Sequence, residues 1–112
     1  MTTESARISF ADFKKMELKV AEVLSVQNHP NADKLYLLKV RIGTEERQLV
    51  AGLRPYYTPE QLQGRKIVVV ANLEPAVLRG EKSEGMLLAA QDGVSVVIIT
   101  PERDVASGSP IL

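Results

Sequence analysis

Residues 58–71 read Thr58-Pro59-Glu60-Gln61-Leu62-Gln63-Gly64-Arg65-Lys66-Ile67-Val68-Val69-Val70-Ala71, a very short helix run directly into an apolar strand. Thr58 supplies a capping hydroxyl, Pro59 occupies the first helical position and Gln61 the third, the pattern of a capping box. Gly64 stands where a helix stops, so this helix has barely two turns. Ile67–Ala71 contains no polar residue and predicts a strand buried on both faces. The strands on either side of so short a helix must therefore build the fold.

Towards the N-terminus the period becomes two. Met16, Leu18, Val20, Leu24 and Val26 share one phase, and Glu17, Lys19, Ser25 and Gln27 the other. Glu22 and Val23 interrupt the alternation, predicting a bulge that bends a long strand, as the corner of a small barrel requires. After the loop Asn28-His29-Pro30-Asn31-Ala32-Asp33, a second strand alternates Tyr36, Leu38, Val40 and Ile42 with Leu37, Lys39 and Arg41 up to the Gly43-Thr44 turn. A third runs over about Glu46–Ala51 and ends at Gly52. Residues 1–8 read as a loose arm. Ser9 and Asp12 resemble a cap on a helix from Phe10 to about Lys15, with Phe10 and Phe13 on the face that plugs or flanks the barrel.

Towards the C-terminus, residues 74–85 read as a polar loop. Met86–Ala90 and Val94–Thr100 are strands parted by Gln91-Asp92-Gly93, a hairpin turn, and Leu87–Ala90 is expected in the core. The tail, Pro101–Leu112, is turn-rich. The expected fold is mainly β: a five-stranded OB-type barrel over residues 9–112, with a short helix between strands 3 and 4, an N-terminal helix and extra C-terminal strands. Barrels of this kind bind ligands across strands 2 and 3 and through the loops joining strands 1–2 and 4–5, here residues 28–34 and 74–85.

Composition narrows the function. The 112 residues form one domain with an aliphatic core, being 45% hydrophobic but only 4% aromatic. With no cysteine there are no disulfides, thiolate nucleophiles or sulfur-bound metals, and one histidine leaves little for a metal to hold. No apolar run approaches a membrane span and Met1–Arg7 does not resemble a signal peptide, so the expected location is cytoplasmic. Fourteen basic and fourteen acidic side chains cancel, so a site for a polyanion must be a local patch.

Two motifs carry a resemblance. His29-Pro30-Asn31-Ala32-Asp33-Lys34-Leu35 is similar to the first-loop signature of the tRNA-binding domain family. Asn72-Leu73-Glu74-Pro75, Leu78-Arg79-Gly80, Ser83 and Gly85-Met86-Leu87-Leu88-Ala89-Ala90 resemble its second. Leu18-Lys19-Val20-Ala21 and Leu49-Val50-Ala51-Gly52-Leu53 look like its first and third strands, so the resemblance spans about residues 10–100. The family includes free-standing dimeric tRNA-binding proteins and the C-terminal domain or β subunit of some methionyl-tRNA synthetases. It also includes cofactors of multisynthetase complexes and an export-related chaperone. Tyr56-Tyr57 and the form Asn-Leu-Glu-Pro look most like the synthetase-associated branch. Ala21 stands where the family often has glycine, and Glu74 where many members have lysine. The catalytic signatures of a synthetase do not occur, and no nucleophile–base pair or phosphate loop is visible.

The resemblance implies a non-catalytic, cofactor-free module that recognises tRNA shape with little sequence preference, as a homodimer or as a domain or partner of a methionyl-tRNA synthetase catalytic subunit. The alternative is a peptide-binding chaperone of the same family. The implied tRNA-binding residues are Lys34, Asn72, Arg79, Lys82, Ser83 and Met86, with His29, Asn31 and Arg54 as further candidates. Arg79 can fork two phosphate oxygens while Lys34 and Lys82 act as point charges. Ser83 can donate to phosphate or ribose. Met86 reads either as a base contact or as core, and Asn72 either as a contact or as the holder of its turn. His29 is a base-stacker or a structural loop residue, Asp33 shapes its loop, and one of Tyr56 and Tyr57 packs inward. Three to five phosphate contacts correspond to a log–log salt slope of about −3 to −5. The apolar ends at Val94–Ile99 and Ile111-Leu112 are the expected dimer surfaces.

Overall fold

The computed structural model describes residues 6–112; of the expected N-terminal arm, residues 1–5 lie outside the described residues and 6–8 are exposed coil. Five antiparallel strands form one curled sheet in the order β3-β2-β1-β4-β7. They are β1 (Leu18–Asn28), β2 (Tyr36–Ile42), β3 (Glu45–Ala51), β4 (Lys66–Val70) and the two-residue β7 (Met86–Leu87). The order is that of an OB-type barrel, in which a long first strand pairs with the second and the fourth. β1 does so by pairing its first half with β4 and its second with β2. A register shift between Val23 and Ser25 marks the change. This is the expected bulge, one residue beyond the sequence break.

The bulge corrects the expected phase of β1. Leu18 and Val20 face away from the main core, whereas Ala21 and Val23 are fully buried inside it. The extra residue then flips the strand, so Val26 packs against the core from what had been the outer phase. Met16 falls outside the strand and is exposed. In β2 the expected alternation is complete: Tyr36, Leu38, Val40 and Ile42 are all buried. Leu62, the inward residue of helix α2 (Pro59–Leu62), closes one side of that core. Its capping box is fully formed, with the Thr58 side chain accepting from the Gln61 N–H and the Gln61 side chain accepting from the Thr58 N–H at 2.8 Å. Helix α1 (Phe10–Lys14) is capped by Ser9 as expected but flanks the sheet, burying none of its residues.

Residues 74–85 correct the sequence reading in a second place. They form a hairpin, β5 (Ala76–Leu78) with β6 (Glu81–Ser83), and not an open loop. The expected strand Met86–Ala90 is broken at Leu88, whose N–H donates to the Val68 carbonyl. β7 lies before the break, and β8 (Ala89–Asp92) lies beyond it, paired with β9 (Ser95–Ile98). Leu87 and Leu88 are therefore half-buried and Ala89 and Ala90 exposed, contrary to the expected core position. The turn centres on Gly93-Val94, because Asp92 pairs with Ser95.

The C-terminal tail is tied back to the barrel. Gly108 donates to the Val20 carbonyl and Val20 to that of Ser109, covering the edge of β1 that β2 leaves free. A side chain at Gly108, where φ is +89°, would meet the Gly43 backbone at 2.9 Å. Lys66 donates to Asp104 at 2.9 Å and to the Val105 carbonyl at 2.7 Å. That hydrogen bond and the ammonium charge hold the Asp104 carboxyl below its ordinary pKa.

Candidate nucleic-acid interface

The β5–β6 hairpin is docked on the barrel by polar contacts at both its ends. Along β3, the Ser83 hydroxyl accepts from the Val50 N–H at 3.0 Å and donates to the Gly85 carbonyl at 2.8 Å. Gln48 donates to the Lys82 carbonyl at 2.8 Å and to Glu81 at 3.3 Å. At the tip, the buried His29 reaches across from the first loop, its Nε2 donating to the Leu78 carbonyl at 2.9 Å while Nδ1 accepts from the Asn31 N–H. These two bonds require the neutral ring with its proton on Nε2. Loop 29–35 and the hairpin are thus one rim. The Arg54 guanidinium, 3.5 Å from the Ala32 carbonyl, adjoins the same loop.

Hairpin register decides which side chains face outward. Ala76, Leu78, Glu81 and Ser83 share the inner face; Val77 and Lys82, directly opposite each other, share the outer one, and Val77 is exposed. Arg79 and Gly80 form the tip, both with positive φ (55° and 90°), the requirement of a type I′ turn. Arg79 is the only non-glycine with positive φ among the described residues. Asparagine or aspartate would meet that backbone requirement at less cost. Six ion pairs occur among the described residues, and none uses Lys34, Arg54, Arg79 or Lys82. These cations remain available to an external anion.

The other candidates divide. Lys34 and Asn31 are exposed in the first loop, and Met86 is half exposed beneath the hairpin. Ser83 is buried with its proton committed, which corrects its expected role as a donor to phosphate or ribose. His29 is buried with both ring nitrogens engaged and presents no face for stacking. Asn72 uses both ends of its amide, accepting from the Glu17 N–H at 2.8 Å and donating to the Lys15 carbonyl at 2.7 Å. It fastens the segment between α1 and β1. Of the two tyrosines, Tyr57 packs against the core and Tyr56 is exposed.

Between the hairpin and the barrel lies an apolar groove of about 360 Å³, walled by Leu53, Leu73, Leu78, Met86, Leu87 and Val96. The sequence reading missed both this groove and Arg47. The Arg47 guanidinium donates to the carbonyls of Ala71 and Glu84, joining β3 to the ends of β4 and β6 where the sheet curls shut. Its one visible signal was its place opposite Val40, a buried residue of β2.

A family model described as "Putative tRNA binding domain" matches residues 18–110. The chain belongs to this family. Among its relatives are the methionine–tRNA ligase of Pyrococcus furiosus, 52% identical over 104 residues, and that of Nanoarchaeum equitans, 45% identical over 108. These matches cover 93% and 96% of this chain but 14% of each ligase. The chain thus spans about one seventh of the length of these relatives. Two solved structures agree with the fold over 96% of this chain and 100% of their own. The MetRS-related protein of Pyrococcus horikoshii superposes with a TM-score of 0.89 at 31% identity, and the chaperone CsaA of Bacillus anthracis with 0.86 at 28%. Within the tRNA-binding family, this chain has the curled sheet and the first loop expected from its sequence, and a hairpin in place of the second loop.

Proposed function

We propose that this chain is a non-catalytic, cytoplasmic tRNA-binding module that recognises folded tRNA by shape. The observation that carries the reading is the tip of the β5–β6 hairpin. There Arg79 holds an unfavourable backbone conformation, has no carboxylate partner among the described residues and is bridged through Leu78 and His29 to the loop bearing Lys34. Lys34, Arg54, Arg79 and Lys82 contact phosphates in this reading, the exposed Asn31 amide reaches ribose or base, and Met86 gives apolar contact. His29 and Ser83 hold the two loops in place, and Asn72 fastens the segment between α1 and β1. With zero net charge the field is local, so binding by one copy is modest.

The similarity to methionine–tRNA ligases supports service to such an enzyme, as a domain or a separate subunit that raises the local tRNA concentration. A homodimer would strengthen binding through effective concentration. Exposed Val94, Val97, Ile99, Ile111 and Leu112 are the surfaces we assign to that contact. The test is a gel shift with tRNA, duplex DNA and single-stranded RNA at two salt concentrations. Preference for tRNA that survives the higher salt is expected; equal binding to all three removes shape recognition.

The apolar groove and the likeness to CsaA favour one second reading, a peptide-binding chaperone. Titrating labelled unfolded peptide and tRNA against each other separates the two. Peptide binding that ignores both salt and tRNA supports the chaperone.

A further inference from the structure

We infer that the groove beneath the β5–β6 hairpin is a pocket for one unstacked nucleobase and that Glu74 at its mouth selects guanine. The inference rests on the tRNA-binding reading and names what the same rim takes in besides phosphate.

The groove is walled by aliphatic side chains and the Met86 thioether. Such walls suit the flat faces of a base, which lose little by leaving water, and methionine sulfur packs well against aromatic rings. Its volume of about 360 Å³ lies in the range of small-molecule sites. Glu74 is the only charged residue among those lining it. Its carboxylate is exposed and enters no ion pair among the described residues. Arg79 follows Leu78, a wall residue, and likewise has no acidic partner among the described residues. The groove is thus largely apolar, with one carboxylate at its mouth and the Arg79 cation one residue beyond its wall.

That arrangement fits a ligand with an apolar plane, adjacent donors on one edge and an anion at the other end. A nucleotide has this shape. An ionised carboxylate only accepts hydrogen bonds. Guanine offers it two neighbouring donors, N1–H and the N2 amino group, in a bidentate arrangement. Adenine and cytosine place a ring-nitrogen acceptor beside their amino group, and uracil flanks its single N–H with carbonyls, so each sets at least one acceptor against the carboxylate. The 5′-phosphate extends towards Arg79. In a folded RNA, only a base already out of its stack can enter.

The test titrates the full chain, methyl- and 15N-labelled, with GMP, AMP, CMP and UMP at equal concentration. Leu53, Leu78 and Met86 methyl signals and the Glu74 amide are followed by NMR, with a tRNA gel shift run in parallel. GMP should shift these signals with an affinity at least about fivefold above AMP, the low end of what a bidentate base contact contributes. E74Q, at an exposed position, should abolish that difference while leaving the fold intact, and R79A should weaken all four nucleotides alike. Equal response to all four, no response at the groove methyls, or an E74Q protein that still prefers GMP overturns the inference. So does displacement of GMP by an apolar peptide that itself shifts the groove methyls more strongly. If tRNA still shifts in the gel while the nucleotides fail, the guanine pocket falls alone. If GMP binds selectively and tRNA does not shift, the tRNA reading falls and the pocket stands.

Discussion

Replacing Arg79 by asparagine should move stability and binding in opposite directions. Arg79 has a φ of 55° at the tip of a two-residue turn whose second member is Gly80. A side chain in the left-handed region costs about 1–2 kcal/mol, and asparagine recovers part of it by hydrogen bonding locally. Asn-Gly is also the preferred pair for a type I′ hairpin. The hairpin is docked by Ser83, Gln48 and His29, so relief at its tip adds to global stability. We expect a gain of about 1 kcal/mol, which for a domain of this size raises Tm by roughly 4 °C. The same change removes one charge-assisted phosphate contact, weakening tRNA about tenfold or more and flattening the log–log salt slope by about 0.7–0.9. Thermal denaturation by circular dichroism and filter binding at several salt concentrations measure both. A variant that loses stability and affinity together would show that Arg79 packs the hairpin and does not serve the ligand. Unchanged affinity and slope would remove it from the interface.

Other perturbations test the scaffold. His29→Ala removes both hydrogen bonds of the buried ring, the one it donates to the Leu78 carbonyl and the one it accepts from the Asn31 N–H, and should cost about 1–2 kcal/mol in urea denaturation. It should also weaken tRNA binding without altering the salt slope, since the ring faces no solvent. Gly108→Ala sets a methyl group 2.9 Å from the Gly43 backbone at a φ of +89° and should cost about 2 kcal/mol or more; a midpoint within error of the parent would mean the tail does not hold β1. Asn72→Ala removes two hydrogen bonds at an exposed site and should cost about 1 kcal/mol, with hydrogen exchange rising at the Glu17 amide and nowhere else. Asp104 is held below its ordinary pKa of 3.8 by Lys66, so its ion pair stabilises above that value and the contribution is lost as pH falls towards the lowered one. The stability gap between the parent and Asp104→Asn should therefore close on acidification below the ordinary value, and a gap independent of pH would contradict the pairing.

Much of the scaffold is legible in the sequence. The Thr58 capping box, the alternation of β2 and the apolar run of β4 depend on neighbours within a few residues, where side-chain chemistry and strand period act directly. The bulge in β1 was visible, but not its consequence. One extra residue flips every later side chain, so Ala21 and Val23 enter the core before it and Val26 packs against that core after it, where an unbroken strand would keep a single phase; Val20 is buried outside this cluster. The strand Met86–Ala90 failed for a related reason. Leu88 is bonded to Val68 of β4 and Ile99 beside β9, so two sheets divide a run that composition shows as one.

The opposing fates of the signature residues mark the same boundary. The sequence alone determined that Lys34 lies in one connection of the barrel and Arg79 and Lys82 in another, because motif order and strand period are local properties. It could not separate side chains that face outward from those spent on the scaffold. Ser83, His29 and Asn72 carry the same kinds of polar atoms as an RNA-binding residue. Their hydrogen bonds go to Val50, Leu78 and Glu17, which are 33, 49 and 55 residues away along the chain. Only tertiary structure sets those distances, and a polar group held by an internal partner far along the chain is oriented towards the scaffold and away from a ligand.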